Sequence, residues 1–250
     1  QIEISSYPCL NYNCSANKMI FLFDVDGTLT PSRGQIDPEF KTFFNSFCMA
    51  NDVYLVTGSD RDKTIEQIGE DTYNLCKRVY QCSGNDVWER EVNTRTNDWK
   101  ISTEMRDALN ELVDCSLFPL RTGNHIEERP GMVNFSTVGR NANLEERAAY
   151  VEYDSRLEER VLMAGFLVQE FDDITATVGG ETGIDIGELG SDKSQILRDF
   201  EESDRIHFYG DAIFEGGNDY PLADALKKFQ LGFSHRVTDW EDTFIKLECE

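Results

Sequence analysis

The sequence predicts an α/β fold: a doubly wound, Rossmann-like parallel-sheet core with an inserted α+β cap domain, an antiparallel sheet plus helices. Three observations carry that expectation. Short apolar runs alternate with helical patterns from Met19 to about residue 91, the rhythm of parallel strands joined by crossover helices. Between residues 92 and 188 hairpin signals and longer charged helices replace it, which suits an antiparallel sheet packed with helices. From residue 189 the first rhythm returns. The expected organisation is a polar lead at 1–18, a core at 19–91 and 189–250, and an inserted unit at 92–188.

The first core strand is the apolar run Met19 to Phe23, a buried parallel strand by pattern. It stops at Asp24-Val25-Asp26-Gly27-Thr28. Residues two apart on an extended chain point the same way, so Asp24 and Asp26 can face one site. Two carboxylates held together repel, which calls for a metal or a shared proton. Pro38 to Ala50 reads as a helix with Asp37 as its cap and Phe40, Phe43, Phe44 and Phe47 on one face. Asp52 to Thr57 is a second buried strand, ending in Gly58-Ser59-Asp60 before a helix through Ile68. Hydroxyls between a strand end and a helix start can hold a phosphate, although a plain helix cap has the same look. Val79 to Cys82 is a third strand.

In the inserted unit, Ser102 to Cys115 is an amphipathic helix. Asn124 to Glu128 and Met132 to Thr137 flank Arg129-Pro130-Gly131 as a hairpin. Asn143 to Ala164 reads as one long charged helix. Ile174 to Val178 and Ile184 to Ile186 bracket a glycine-rich turn. Back in the core come a helix at Lys193 to Phe200, a strand at Arg205 to Tyr209 leading to Gly210-Asp211, a helix at Asp219 to Lys228, a strand at Gln230 to Phe233 and a last helix at Asp239 to Leu247.

The chain's 250 residues carry a net charge of −23. So acidic a surface argues against nucleic acid and anionic membranes as partners. An anionic substrate would need a local cluster of cations. No apolar run approaches the roughly 18 residues of a membrane span, and residues 1–18 lack the features of a signal peptide. The seven cysteines show no zinc spacing, so reduced thiols in a cytoplasmic protein are expected.

Asp24, Asp26 and Asp211 fall at strand ends, with Lys193 opening a helix. Hard oxygen ligands beside a phosphate describe a magnesium site. The candidate cation cluster is Arg129, Arg140 and Arg147 in the inserted unit. Arg147 sits in a helix's first turn, where a cation opposes the macrodipole, and guanidinium forks suit oxyanions. Surface ion pairs are the bland alternative. If the cluster holds a phosphate there are two phosphate sites; a phosphatase needs one, a mutase both.

The string Asp24 to Thr30 resembles the nucleophile motif of the haloacid-dehalogenase superfamily of phosphoryl-transfer enzymes. With Arg33, Gly58-Ser59-Asp60, I-E-x-R-x-G-M-x-N, G-R-x-x-x-x-E-E-R, G-G-x-x-x-x-D, Asp192-Lys193 and G-D-x-x-x-x-G-G-N-D, the chain from Met19 onward resembles the eukaryotic phosphomannomutase family. The resemblance implies Asp24 as nucleophile and Asp26 as acid and base, with Ser59 and Lys193 assisting at the phosphoryl group. It implies magnesium held by Asp24, the main-chain oxygen of Asp26, and Asp211. It implies a sugar phosphate gripped by Arg33, Arg129, Arg140, Arg147, Gly183 and Asp185. It further implies a cytosolic homodimer joined through the caps, activated by a hexose 1,6-bisphosphate and supplying mannose 1-phosphate for GDP-mannose synthesis. The chain departs from the family at Gly183, usually Ser, at Ala212, usually Lys, and at Leu222-Ala223-Asp224-Ala225, which does not reproduce a second cation site. A sugar-phosphate phosphatase of the same superfamily and a non-catalytic sugar-phosphate-binding module are the alternatives.

Overall fold

In the computed structural model, which describes residues 18–249, the first apolar run forms β1 (Met19–Phe23). Of the expected polar lead, all but Lys18 lies outside the described residues, as do Cys9 and Cys14. Side chains of β1 alternate between two cores, Phe21 and Phe23 on one face and Ile20 and Leu22 on the other. A strand sandwiched in this way must be apolar throughout, which is why its signal in the sequence was unbroken.

Helix α1 (Pro38–Ala50) is capped by Asp37, whose carboxylate accepts from the N–H groups of Glu39 and Phe40 at 2.8 and 3.1 Å. It lays Phe40 and Phe44 on the face shared with Phe23. Strand β2 (Asp52–Val56) is followed by α2 (Arg61–Ile68) and a separate α3 (Glu70–Leu75). Gly69, at φ +84°, breaks the two helices apart. Then come β3 (Arg78–Gln81), β4 (Asp86–Glu89) and β5 (Val92–Thr96). The last two pair antiparallel at the edge of the same sheet. The sequence reading placed the start of the inserted unit at residue 92, but sheet membership changes after Thr96. Strand β5 is almost entirely exposed and polar, so no apolar alternation announced it.

After α4 (Thr103–Cys115) the second sheet begins with the hairpin β6 (Ile126–Arg129) and β7 (Met132–Phe135). The expected single helix over 143–164 is two, α5 (Leu144–Leu157) and α6 (Glu159–Glu170). The break is Glu158, at φ +52°, and the Asp154 carboxylate caps the new start by accepting from the Arg160 N–H at 2.9 Å. Strands β8 (Ile174–Gly179) and β9 (Gly183–Glu188) complete an antiparallel sheet of order β6-β7-β9-β8. Leu109, Phe135, Leu167 and Ile186 are buried between this sheet and its helices.

Returning to the core, Lys193–Asp199 is a 3₁₀ helix, followed by β10 (Arg205–Gly210), α7 (Tyr220–Lys228), β11 (Gly232–Arg236) and α8 (Trp240–Glu248). The core sheet has the order β11-β10-β1-β2-β3-β4-β5, parallel from β11 to β3. The chain winds outward from β1 in one direction and from β10 in the other. The switch point therefore lies between β1 and β10, where such sheets open a crevice at their carboxyl ends. The second sheet reaches back to this crevice: the Val178 N–H donates to the Gly216 carbonyl at 2.7 Å, and the Asn218 N–H to the Val178 carbonyl at 2.9 Å. Among the described residues no helix is long and apolar enough to cross a membrane.

Candidate active site

Asp24 follows the last residue of β1 and Asp211 the last of β10, so both stand at the switch point. The approach is close because Gly27, at φ +79°, has no side chain; a Cβ there would lie 2.5 Å from Asp211 Oδ2. Lys193, 1% exposed, donates to Asp24 Oδ1 at 2.6 Å and to Asp219 Oδ1 at 2.7 Å. Asp26 sits two residues on with its carboxylate held from three sides. Its Oδ1 accepts from the Arg33 N–H at 2.7 Å and from Gln67 Nε2 at 2.8 Å, and its Oδ2 accepts from Ser59 Oγ at 3.2 Å.

Oxygens of Asp24, Asp211 and Asp219 all lie within 4.8 Å of one another. Burial pushes the Asp24 carboxyl well above the ordinary range; Lys193 pulls it down, and the charges of Asp219 and Asp211 push it up again. Burial and the Asp219 charge raise Asp211 to about 7. One buried lysine against three carboxylates leaves negative charge that a hard dication would offset, so the donor set fits magnesium. Asp219 is already committed, its Oδ1 to Lys193 and its Oδ2 to the Ala212 N–H at 3.0 Å. That leaves Asp24 and Asp211 with free oxygen capacity facing the cleft.

Above these groups lies a polar cleft that opens to solvent. Asp24, Asp26, Arg33, Ser59, Arg129, Arg140, Arg147, Gly183, Asp185 and Asp211 all line it, while Lys193 lies beneath it. The three cap arginines are therefore not surface ion pairs: their side chains are 7%, 17% and 5% exposed. Glu127 braces two of them, accepting from Arg129 Nη2 at 3.0 Å and from Arg140 Nε. Arg129 Nη1 donates across to the Gly58 carbonyl of the core. Arg147 Nη1 donates to Thr182 Oγ1 at 3.1 Å and its Nη2 to Glu181 Oε2 at 3.0 Å. Burial, then the charges of Arg140 and Arg147, push the Arg33 guanidinium below its ordinary value. A cluster of cations this crowded is ready for an anion.

Asp185 faces the cleft from β9, accepting from Asn134 Nδ2 at 2.8 Å and Asn218 Nδ2 at 3.2 Å. Gly183 leaves room for Asn134, since a Cβ there would fall 2.6 Å from Asn134 Nδ2. The sequence reading did not single out Asp219, Glu127, Glu181, Asn134 or Asn218 as site residues. Asp219, at the end of the Gly216-Gly217-Asn218 turn, carried the clearest signal, because a glycine pair before two polar residues marks a turn that can reach a strand end.

Carboxylates at the switch point of a parallel sheet, under an inserted antiparallel cap, place the molecule in the haloacid-dehalogenase class. A haloacid dehalogenase-like hydrolase from Bacteroides thetaiotaomicron shares the fold with a TM-score of 0.54 and 15% identity, covering 93% of this chain and 99% of that one. An IMP-nucleotidase from Plasmodium falciparum shares it with a TM-score of 0.59 and 13% identity, covering 94% of this chain and 68% of that one. The relationship by sequence is closer: residues 40–249 match the family model of eukaryotic phosphomannomutase. A phosphomannomutase from Arabidopsis thaliana is 33% identical over 240 residues, 92% of this chain and 96% of that one. The chain belongs to the eukaryotic phosphomannomutase family.

Proposed function

We propose that the protein interconverts mannose 6-phosphate and mannose 1-phosphate, and glucose phosphates with them, through an aspartyl phosphate at Asp24 and a hexose 1,6-bisphosphate intermediate. The observation that carries this reading is that two sets of charged groups line one cleft, and we read them as two opposed anion grips. Asp24, Lys193 and Asp211 form one, and Arg33, Arg129, Arg140 and Arg147 the other. A hydrolase needs one phosphate grip; a mutase needs a second to hold the bisphosphate while its reacting end is exchanged.

In this reading Asp24, Asp211 and the main-chain oxygen of Asp26 would hold magnesium, which would offset charge on the phosphoryl oxygens. Asp24 Oδ attacks phosphorus, forming the aspartyl phosphate as the bond to the sugar oxygen breaks. Asp26 gives that oxygen its proton and takes a proton back when the other hydroxyl attacks. The Ser59, Gln67 and Arg33 hydrogen bonds on Asp26 fix the carboxylate's direction. Lys193 offsets charge on Asp24 throughout. The arginines hold the distal phosphate, and Asp185 a sugar hydroxyl.

The same reading takes the inserted unit, from after Thr96 to residue 188, as the cap domain and puts the protein in the cytoplasm, where it supplies mannose 1-phosphate for GDP-mannose. It joins two copies through the cap, whose Leu117, Leu144, Leu157, Leu162 and Phe166 are exposed. A phosphorus NMR time course tests the activity. With mannose 1-phosphate, magnesium and a trace of glucose 1,6-bisphosphate, mannose 6-phosphate is the expected product. Inorganic phosphate as the dominant product would make the protein a sugar-phosphate phosphatase.

A further inference from the structure

The two acidic partners of the cap arginines are placed differently. Glu127 braces Arg129 and Arg140 from behind and does not line the cleft. Glu181 does line it. Its Oε2 accepts from both Nε and Nη2 of Arg147, at 3.3 and 3.0 Å, the paired nitrogens with which a guanidinium takes a phosphate. The Arg147 side chain is 5% exposed, whereas that of Glu181 is 43% exposed.

The turn that carries Glu181 is held through its backbone rather than through the Glu181 side chain. Arg160 Nη1 donates to the carbonyl of Gly180 at 2.8 Å and to that of Gly183 at 3.4 Å, and Arg160 Nε to Asp154 Oδ2 at 2.7 Å. The backbone on both sides of Glu181 is thus tied to α6. The side chain can leave Arg147 by rotamer change alone.

We infer that Glu181 is a specificity-determining residue: it occupies Arg147 as an internal competitor that an incoming phosphate must displace. This rests on the proposed reading that the arginine end receives a phosphate. Carboxylate and phosphate cannot share the same guanidinium edge without like-charge repulsion. A ligand with a neutral distal end leaves the Glu181–Arg147 pair intact, so no buried cation is left unpaired. Glu181 therefore narrows the difference in affinity between ligands that bring a phosphate to the arginines, hexose monophosphate and bisphosphate alike, and ligands that bring none. In a mutase the strength of that hold bears on how readily the bisphosphate lets go of the arginines and reorients.

The inference reverses the usual expectation for a mutation at a salt bridge. Calorimetric titration of glucose 1,6-bisphosphate into the magnesium-loaded protein, run for the parent, Glu181→Gln, Glu170→Gln and Arg147→Gln, tests it. Glu170 is exposed at the end of α6 and reports the effect of one surface charge. Glu181→Gln is expected to bind the bisphosphate about fivefold more tightly, the scale of a partly exposed ion pair. Glu170→Gln is expected to match the parent and Arg147→Gln to bind more weakly. Unchanged or weaker binding by Glu181→Gln, with Arg147→Gln still weaker than the parent, would overturn the inference alone and make Glu181 a brace. Equal binding by the parent, Glu181→Gln and Arg147→Gln would overturn both it and the two-grip reading.

Discussion

Lys193 and Asp219 form an ion pair of 2.7 Å in which neither side chain has any exposure to solvent. Asp24 shares the same ammonium group at 2.6 Å, so the charge on Asp24 and the fold of the last core segment depend on one cation. The isosteric change Asp219→Asn keeps the bond from the Ala212 N–H but leaves Lys193 with a single carboxylate. Breaking a buried pair costs about 3–5 kcal/mol, and the remaining bond to Asp24 puts this variant near 3 kcal/mol by that scale. Urea unfolding is the measurement; a loss under about 1 kcal/mol, the scale of an exposed pair, would contradict it.

Magnesium should stabilise the fold independently of turnover. The close approach of Asp24, Asp211 and Asp219 leaves negative charge that Lys193 does not cancel. At a magnesium concentration about 100 times Kd the gain is about 2.7 kcal/mol. It should appear as a rise in Tm that a chelator reverses and that Asp211→Asn abolishes. Equal rises in the parent and in Asp211→Asn would place the bound ion elsewhere.

Glu127 offers a prediction in pH. Burial pushes its carboxyl up, but Arg129 and Arg140 pull harder, so it lies below the ordinary value. A depressed carboxylate stabilises the fold fully above its unfolded value, about 4.3, and the contribution fades as pH falls through the lower folded value. The stability gap between the parent and Glu127→Gln should hold from about pH 6 to 8 and close below about pH 4. Denaturant melts across that range decide it; a gap of constant size down to about pH 3 would contradict the assignment.

Two glycines should respond in opposite directions. A Cβ on Gly179 would lie 2.3 Å from Asp185 Oδ2, and that carboxylate is held by Asn134 and Asn218. Gly179→Ala should cost about 1–3 kcal/mol, as overpacking does, and weaken sugar-phosphate binding. Gly165, inside α6, has nothing within 4 Å of an added Cβ. Gly165→Ala should gain up to about 1 kcal/mol. Equal effects at the two positions, read from chemical denaturation, would show that Asp185 does not press on β8.

Much of this site was legible because its residues interrupt strong patterns. Asp24 and Asp26 end an apolar run, and Arg147 stands where a helix disfavours a cation, so each drew attention against its background. Asp219 had only the glycine pair before it as a signal, and Glu181 had no contrast at all; acidic residues at turns are ordinary among 47 carboxylates. Their roles come from what the fold brings beside them, Lys193 in one case and Arg147 in the other. The same holds for secondary structure. The sandwiched strand β1 was plain, while β5 is exposed and polar and left no periodic trace. The break between α5 and α6 depends on one left-handed residue, Glu158, and on the side chain of Asp154, a tertiary choice that neither charge pattern nor propensity announces.

The opposed grips are tested most directly by following one phosphoryl group. The protein is given glucose 1,6-bisphosphate labelled in its phosphates, freed of excess ligand, and chased in a single turnover with unlabelled mannose 1-phosphate. The account predicts acid-stable sugar phosphate carrying the label, and no labelled protein when Asp24→Asn replaces the parent. Label released chiefly as inorganic phosphate, at a rate the added mannose 1-phosphate does not change, would contradict it.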